Sequence, residues 1–315
     1  MKHKPKKSLG QNFLINPKVA ERIALDADIS KKDVVLEIGP GTGYLTKYLL
    51  MRAKKVIAIE KDNNLAKDLE EKFKKEVTEK KLIIIVEDVL KIDPLLISPL
   101  AGGEKIKIVA NIPYNITGAI LKKFLTEKNK PSSMTLMVQK EVAERIIARD
   151  GKESLLSISV KVYGEPKILF KVSRGNFYPS PNVDSAIIMI NNISSKAFNS
   201  PLEEYPKGEV DKFSTPSRKR TTPQEGNLDE DLFWEILRAG FAHKRKKLSS
   251  NLKIYDPLLL SPLAGGEKAP MTRRALGFID LGNKRAEELH LTDWINLAKK
   301  IQPHLTSPYH GRKIT

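Results

Sequence analysis

Short, continuously apolar runs alternate with helix-period segments through the first half of this chain, and nothing else in the sequence constrains its fold as much. Residues 34–38, 56–60, 82–86 and 106–110 each read as a buried strand. Tyr44, Leu45, Tyr48, Leu49 and Arg52 fall at helical spacing, and a charged helix is expected over 64–78. Segments 117–128 and 141–149 read as helices flanking a strand at 135–138. Strands with no polar alternation need cover on both faces, which helices provide when each returns the chain to a parallel neighbour. The expected fold class is therefore α/β, a doubly wound sheet.

After Ser154 the pattern changes. Segments 157–163, 167–172 and 185–190 read as strands without intervening helices, an antiparallel extension of the sheet. Residues 194–227 carry Pro201, Pro206, Pro216 and Pro223 without periodicity and are expected to be a flexible linker or insertion. Helical spacing resumes at Asp229, so the expected division is 1–193, the 194–227 linker, a small helical domain over 228–302, and a disordered tail over 303–315. One element repeats: Asp93 to Lys105 recurs at Asp256 to Lys268, with Leu260 standing for Ile97. Two near-identical copies so far apart cannot stack as a solenoid, and their Pro and Gly-Gly content suits surface loops outside the chemistry.

Charge narrows the partner. Lys and Arg total 55 against 38 Asp and Glu, a net charge of +17, which points to a polyanion and most simply to nucleic acid. The absence of cysteine excludes disulfides, thiolate zinc sites and a catalytic thiol. Five scattered histidines show no ligand spacing, so no metal is expected. No apolar run approaches the ~18 residues of a membrane helix. Polar Ser8, Gln11 and Asn12 stand where a signal peptide would be apolar, so a cytoplasmic location is expected.

Three constellations carry chemistry. Gly39-Pro40-Gly41-Thr42-Gly43 follows the first strand, where glycines let the backbone approach a ligand at a helix N-terminus. Glu60 ends the next strand, where a carboxylate can accept from both ribose hydroxyls. The pair suits any ligand with an adenosine ribose, NAD included, although a basic chain without an evident proton-transfer pair makes a poor oxidoreductase. Asp88, after the third strand, suits either an adenine amine or a helix N-cap. Asn111-Ile112-Pro113-Tyr114 lies beyond the fourth strand. An adenine N6 amine is a poor nucleophile because its lone pair is delocalised. Acceptors at its two N–H groups, the Asn111 side-chain oxygen and a main-chain carbonyl such as that of Ile112, would push the nitrogen towards tetrahedral geometry. Tyr114 offers a face for an extruded base.

Together with Gln11 to Leu14, Gln139-Lys140-Glu141, the segment Phe177 to Ser185, and matches at 241–248 and 283–294, these motifs resemble the rRNA adenine dimethyltransferase family, most of all its bacterial small-subunit members. The resemblance implies a Rossmann-like S-adenosylmethionine-dependent methyltransferase domain with a mostly parallel seven-stranded sheet, followed by a smaller all-helical domain that binds rRNA. It implies dimethylation of N6 on two adjacent adenines near the 3′ end of small-subunit (16S) rRNA, on an immature 30S particle, by a monomer. Carried over, Asn12, Leu14, Gly39, Gly41, Glu60, Asp88 and Asn111 would hold S-adenosylmethionine, and Asn111, Tyr114 and Phe177 would hold the target adenine. Lys244 to Lys247, with Lys2, Lys4, Lys6 and Lys7, would meet rRNA phosphates. Ile112 departs from the Leu more usual in the small-subunit enzymes, so a large-subunit rRNA adenine remains the alternative target. An assembly factor that acts mainly by binding is the alternative from another class.

Overall fold

The computed structural model describes residues 5–6, 10–93, 97–199, 227–252, 281 and 283–305. The chain forms two compact units, Met1–Ile147 with Gly164–Ser194, and Ala148–Tyr163 with Ser195–Thr315.

The first unit is built on a seven-stranded sheet. In chain order its parallel strands are β2 (Val34–Ile38), β3 (Lys55–Glu60), β4 (Leu82–Val86), β5 (Ile106–Asn111) and β6 (Ser133–Gln139). Strands β7 (Glu165–Val172) and β9 (Ser185–Asn191) complete it, in the spatial order β4-β3-β2-β5-β6-β9-β7. Only β9 runs antiparallel to its neighbours. A separate two-stranded ribbon pairs β1 (Phe13–Leu14) with β8 (Phe177–Tyr178), placing Leu14 opposite Phe177. Every residue of β2 is buried, as expected for a central strand covered on both faces. Helices α1 (Pro17–Asp26) and α2 (Tyr44–Arg52) supply much of that cover, with Ala20, Ile23, Leu45 and Leu49 in the same core cluster as Val35, Val56 and Val109.

The chain winds from β2 through β3 to β4 on one side, then returns to β5 and β6 on the other. The order therefore reverses between β2 and β5, and the carboxyl ends of these strands flank the crevice where open α/β sheets bind ligands.

Several expectations are corrected here. The charged helix expected over 64–78 is two helices, Asn63–Lys72 and Lys74–Thr78, broken at Phe73, whose side chain turns into the core. Residues Leu155–Lys161 are helical, not a strand. Their period-two pattern (Ser157, Ile158, Ser159, Val160) resembles a strand, but Ser154 and Ser157 form a reciprocal capping box that starts a helix. This helix belongs to the second unit, where Tyr163 stacks on Trp234 at 6.3 Å and Glu153 N–H donates to the Glu287 carbonyl. In the region expected to be linker, Lys196–Asn199 are helical with Ala197 and Phe198 buried, while 200–226 lie outside the described residues. The last helix, Leu291–Leu305, continues beyond residue 302, where the tail was expected to begin. The first copy of the repeat is more than a surface loop, because Ile97 and Ala101 are buried around a one-turn helix. The second copy lies outside the described residues.

The second unit is helical. Glu230–Gly240 starts at an Asp229 N-cap and packs Phe233, Ile236 and Leu237 into a core centred on Trp294. A Cβ at Gly240 would lie 2.3 Å from the Trp294 ring, so only glycine lets the helix end there. Asn251 closes the turn by donating to the Gly240 carbonyl at 2.6 Å.

Candidate active site

Gly39 and Gly41 adopt φ of +66° and +56°, the left-handed conformation that glycine enters without steric cost. They bend the chain from the end of β2 into α2, and Gly39 N–H donates to the Ile59 carbonyl, pinning the turn to β3. Gly41 N–H donates to Glu60 Oε2 at 3.1 Å, and Asp62 N–H to Glu60 Oε1 at 2.9 Å. Glycine turn and carboxylate, expected from sequence to serve one ligand together, are one hydrogen-bonded unit. Burial raises the Glu60 pKa, and these backbone donors oppose that shift. Beneath the turn, Glu37 is wholly buried, and burial pushes its pKa up to about 8, opposed only in part by the Thr46 hydroxyl beside it.

The N-terminal segment reaches the same place. The Phe13 ring lies against Gly41, where an added Cβ would come within 3.1 Å. Lys6 pairs with the buried Asp62 at 2.6 Å. Lys6 is therefore tied to the protein itself, whereas Lys2, Lys4 and Lys7 lie outside the described residues. Lys244 to Lys247 are exposed.

Across the crevice, Asn111 Nδ2 donates to the Asn12 carbonyl at 3.3 Å. That bond fixes the amide and leaves its oxygen as the acceptor. The Asn12 side chain donates to the Gly10 carbonyl at 3.3 Å, which steadies the segment. Tyr114 is half-buried at the start of a single 3₁₀ turn, and its hydroxyl lies 2.7 Å from that of Ser185.

Two expected residues have surroundings that their motifs did not show. Asp88 accepts from Leu90 N–H at 3.0 Å and pairs with Lys61 at 2.8 Å, which holds its carboxyl below the usual range. It closes a turn rather than capping a helix, since no helix starts there, and an adenine amine would have to share it with Lys61. Phe177 is only 3% exposed and belongs to the core cluster that holds Leu14 and Ile187, whereas neighbouring Tyr178 is 50% exposed. Sequence reasoning assigned no part to Lys61, Asp62 or Ser185. Only Ser185 left a signal, as the last residue of the motif segment that begins at Phe177.

Glycine turn, buried carboxylate and Asn-Ile-Pro-Tyr, gathered at the switch point of this sheet, define a Rossmann-like methyltransferase. Comparison with known proteins takes the assignment further. The model of the family described as ribosomal RNA adenine dimethylase matches residues 2–207. The protein named ribosomal RNA small subunit methyltransferase A from Dehalococcoides mccartyi is 39% identical over 93% of this chain and 87% of its own. Its namesake from Fusobacterium nucleatum is 35% identical over 95% and 98%. Among solved structures, a dimethyladenosine transferase from Plasmodium falciparum superposes with a TM-score of 0.67 at 26% identity, covering 93% of this chain and 98% of that one. A 23S rRNA methyltransferase, ErmE, shares the fold with a TM-score of 0.63 at 24% identity, over 92% of this chain and all of that one. The chain belongs to the ribosomal RNA adenine dimethylase family and is an rRNA adenine dimethyltransferase. Among the described residues no helix is long and apolar enough to cross a membrane, and no group of three or more His, Cys, Asp or Glu could hold a metal ion.

Proposed function

We propose that the protein transfers methyl groups from S-adenosylmethionine to N6 of two adjacent adenines near the 3′ end of small-subunit rRNA, acting on the immature particle as a cytoplasmic monomer. The observation that carries this reading is Asn111, held at the carboxyl end of β5 by the Asn12 carbonyl with its amide oxygen left to accept.

The residues fit the cofactor. Each Glu60 oxygen spends one acceptor site on a backbone N–H, and a carboxylate offers about four in all, so two ribose hydroxyls can be taken. A Cβ at Gly39 would find only the Asn111 carbonyl, at 3.9 Å, so the turn leaves open space beside the catalytic asparagine. In this reading Gly39 and Gly41 lie against the methionine part, Asn12 and the Leu14 backbone close over it, and Asp88 meets the adenine amine.

When bound, S-adenosylmethionine supplies an electrophilic methyl group on a sulfonium. Asn111 Oδ1 and the Ile112 carbonyl accept the two N6–H groups, which localises the nitrogen lone pair towards that methyl. The N6 proton becomes acidic as the nitrogen gains charge, so no strong base is needed. Tyr114 holds the extruded base by stacking, worth ~1–3 kcal/mol per base, with Phe177 as its proposed partner. The helical unit over 228–302, with Lys244 to Lys247 exposed, is proposed to hold rRNA phosphates.

Ile112 favours a second reading, a large-subunit rRNA adenine. The test is transfer of labelled methyl to small subunits lacking dimethyladenine, with naked large-subunit rRNA alongside. Label on the small subunit supports the proposal, and label only on large-subunit RNA supports the second reading. No label on either, with particles still bound, would leave an assembly factor.

A further inference from the structure

Ser185, at the end of segment 177–185, reaches the Asn-Ile-Pro-Tyr motif through its hydroxyl, 2.7 Å from that of Tyr114. It opens β9 and is fully buried. The sheet grips it on both sides: it stands opposite Gln139, the last residue of β6, and opposite Val172, the last of β7. The residue before it is anchored as well. The Asp184 carbonyl accepts from Lys140 N–H at 3.0 Å, and the Asp184 carboxylate accepts from Arg174 N–H at 3.0 Å. Ser185 Oγ is therefore a fixed point at the carboxyl edge of the sheet.

Tyr114 is held differently. It sits on a three-residue 3₁₀ turn after Pro113, half-buried, without a strand ladder of its own. Its ring joins the rigid sheet at its far end, through the hydroxyl 2.7 Å from Ser185 Oγ. A phenol ring held at both Cβ and Oη cannot swing about χ1, so the ring keeps one place beside the crevice before any base arrives, with only rotation about its own long axis left.

We propose that Ser185 is a positioning residue for methyl transfer, which tethers the Tyr114 ring so that the extruded adenine is received at one place beside Asn111. This rests on the reading that Tyr114 holds the target base. A position settled during folding is not lost again during the reaction, and small misplacements of a reacting atom are costly in rate. The tether therefore acts on the turnover step more than on particle binding, which depends on phosphate contacts elsewhere.

The test is a double-mutant cycle with Ser185→Ala, Tyr114→Phe and the pair together. It is read by single-turnover methyl transfer to small subunits, with particle affinity and cofactor affinity measured alongside. Tyr114→Phe keeps the ring and removes the same bond from the partly exposed side, so it serves if Ser185→Ala folds poorly. The expected result is a loss of about 5- to 10-fold in rate for each single variant, no further loss in the pair, and affinities within about twofold of wild type. Losses that multiply in the pair, or a Tyr114→Phe variant at the wild-type rate, would overturn the tether. A wild-type protein that methylates no adenine would instead overturn the reading beneath it.

Discussion

The two walls of the crevice are made in different ways. On the β2–β3 side the donors are backbone N–H groups, presented by glycines at positive φ and tied to one buried carboxylate, Glu60. On the β5–β9 side the working groups are side chains, each aimed by a residue distant in sequence: Asn111 by Asn12, and Tyr114 by Ser185. A wall built of backbone tolerates change at few positions, because an added Cβ alters the wall itself. A wall built of side chains can lose one group and keep its shape. Substitutions on the first side should therefore act through binding and folding, and those on the second through rate.

Asn111→Ala tests that division most strongly. Loss of the acceptor should lower methyl transfer by about 10³-fold or more while cofactor affinity, measured by calorimetry, stays within a few-fold of wild type. Near wild-type turnover would break the comparison. Phe177→Ala is next, and it tests where the second wall gives way to the core beneath it. A ring 3% exposed in the core should cost about 3–5 kcal/mol of stability in chemical denaturation, whereas Tyr178→Ala, at an exposed position, should cost little. If Phe177→Ala leaves stability intact and lowers only transfer, stacking on the base is its main task.

Glu60→Gln should weaken cofactor binding by about 10- to 100-fold, because one acceptor oxygen becomes a donor facing an N–H or a hydroxyl. The rate at saturating cofactor should change much less. A change in pH dependence, rather than in activity, is expected at Glu37. Its native pKa of about 8 lies above the unfolded value of 4.5, so the native state keeps its proton where the unfolded state has lost it. Stability should fall as pH rises between those two values, by at most about 1.4 kcal/mol per unit, and level off above pH 8. Denaturation curves at pH 5.5, 7 and 8.5 should show that slope in the wild type and a flatter one in Glu37→Gln.

The same contrast explains how much could be read in advance. The parallel sheet, the glycine turn, Glu60 and Asn111 were legible because each is written in a short contiguous segment whose apolar run or glycine spacing has one physical reading. The helix at Leu155–Lys161 was not, since its alternating Ser and β-branched residues imitate a strand and only tertiary packing with the capping box decides. The pairs Lys6–Asp62, Lys61–Asp88 and Tyr114–Ser185 join residues far apart in the chain, so no local pattern announces them. For Phe177 the motif suggested a partner for the base, but burial is a property of the folded core that a motif does not carry.

The central claim, that Asn111 activates a small-subunit rRNA adenine, is tested most directly by nucleoside analysis of small-subunit rRNA after incubation with labelled S-adenosylmethionine. Wild-type protein and the Asn111→Ala variant are run side by side. The account predicts labelled N6,N6-dimethyladenosine at two adjacent positions near the 3′ end with wild type, and none with a variant that still binds the cofactor. Dimethyladenosine made equally by both proteins, or label confined to other RNA, would contradict it.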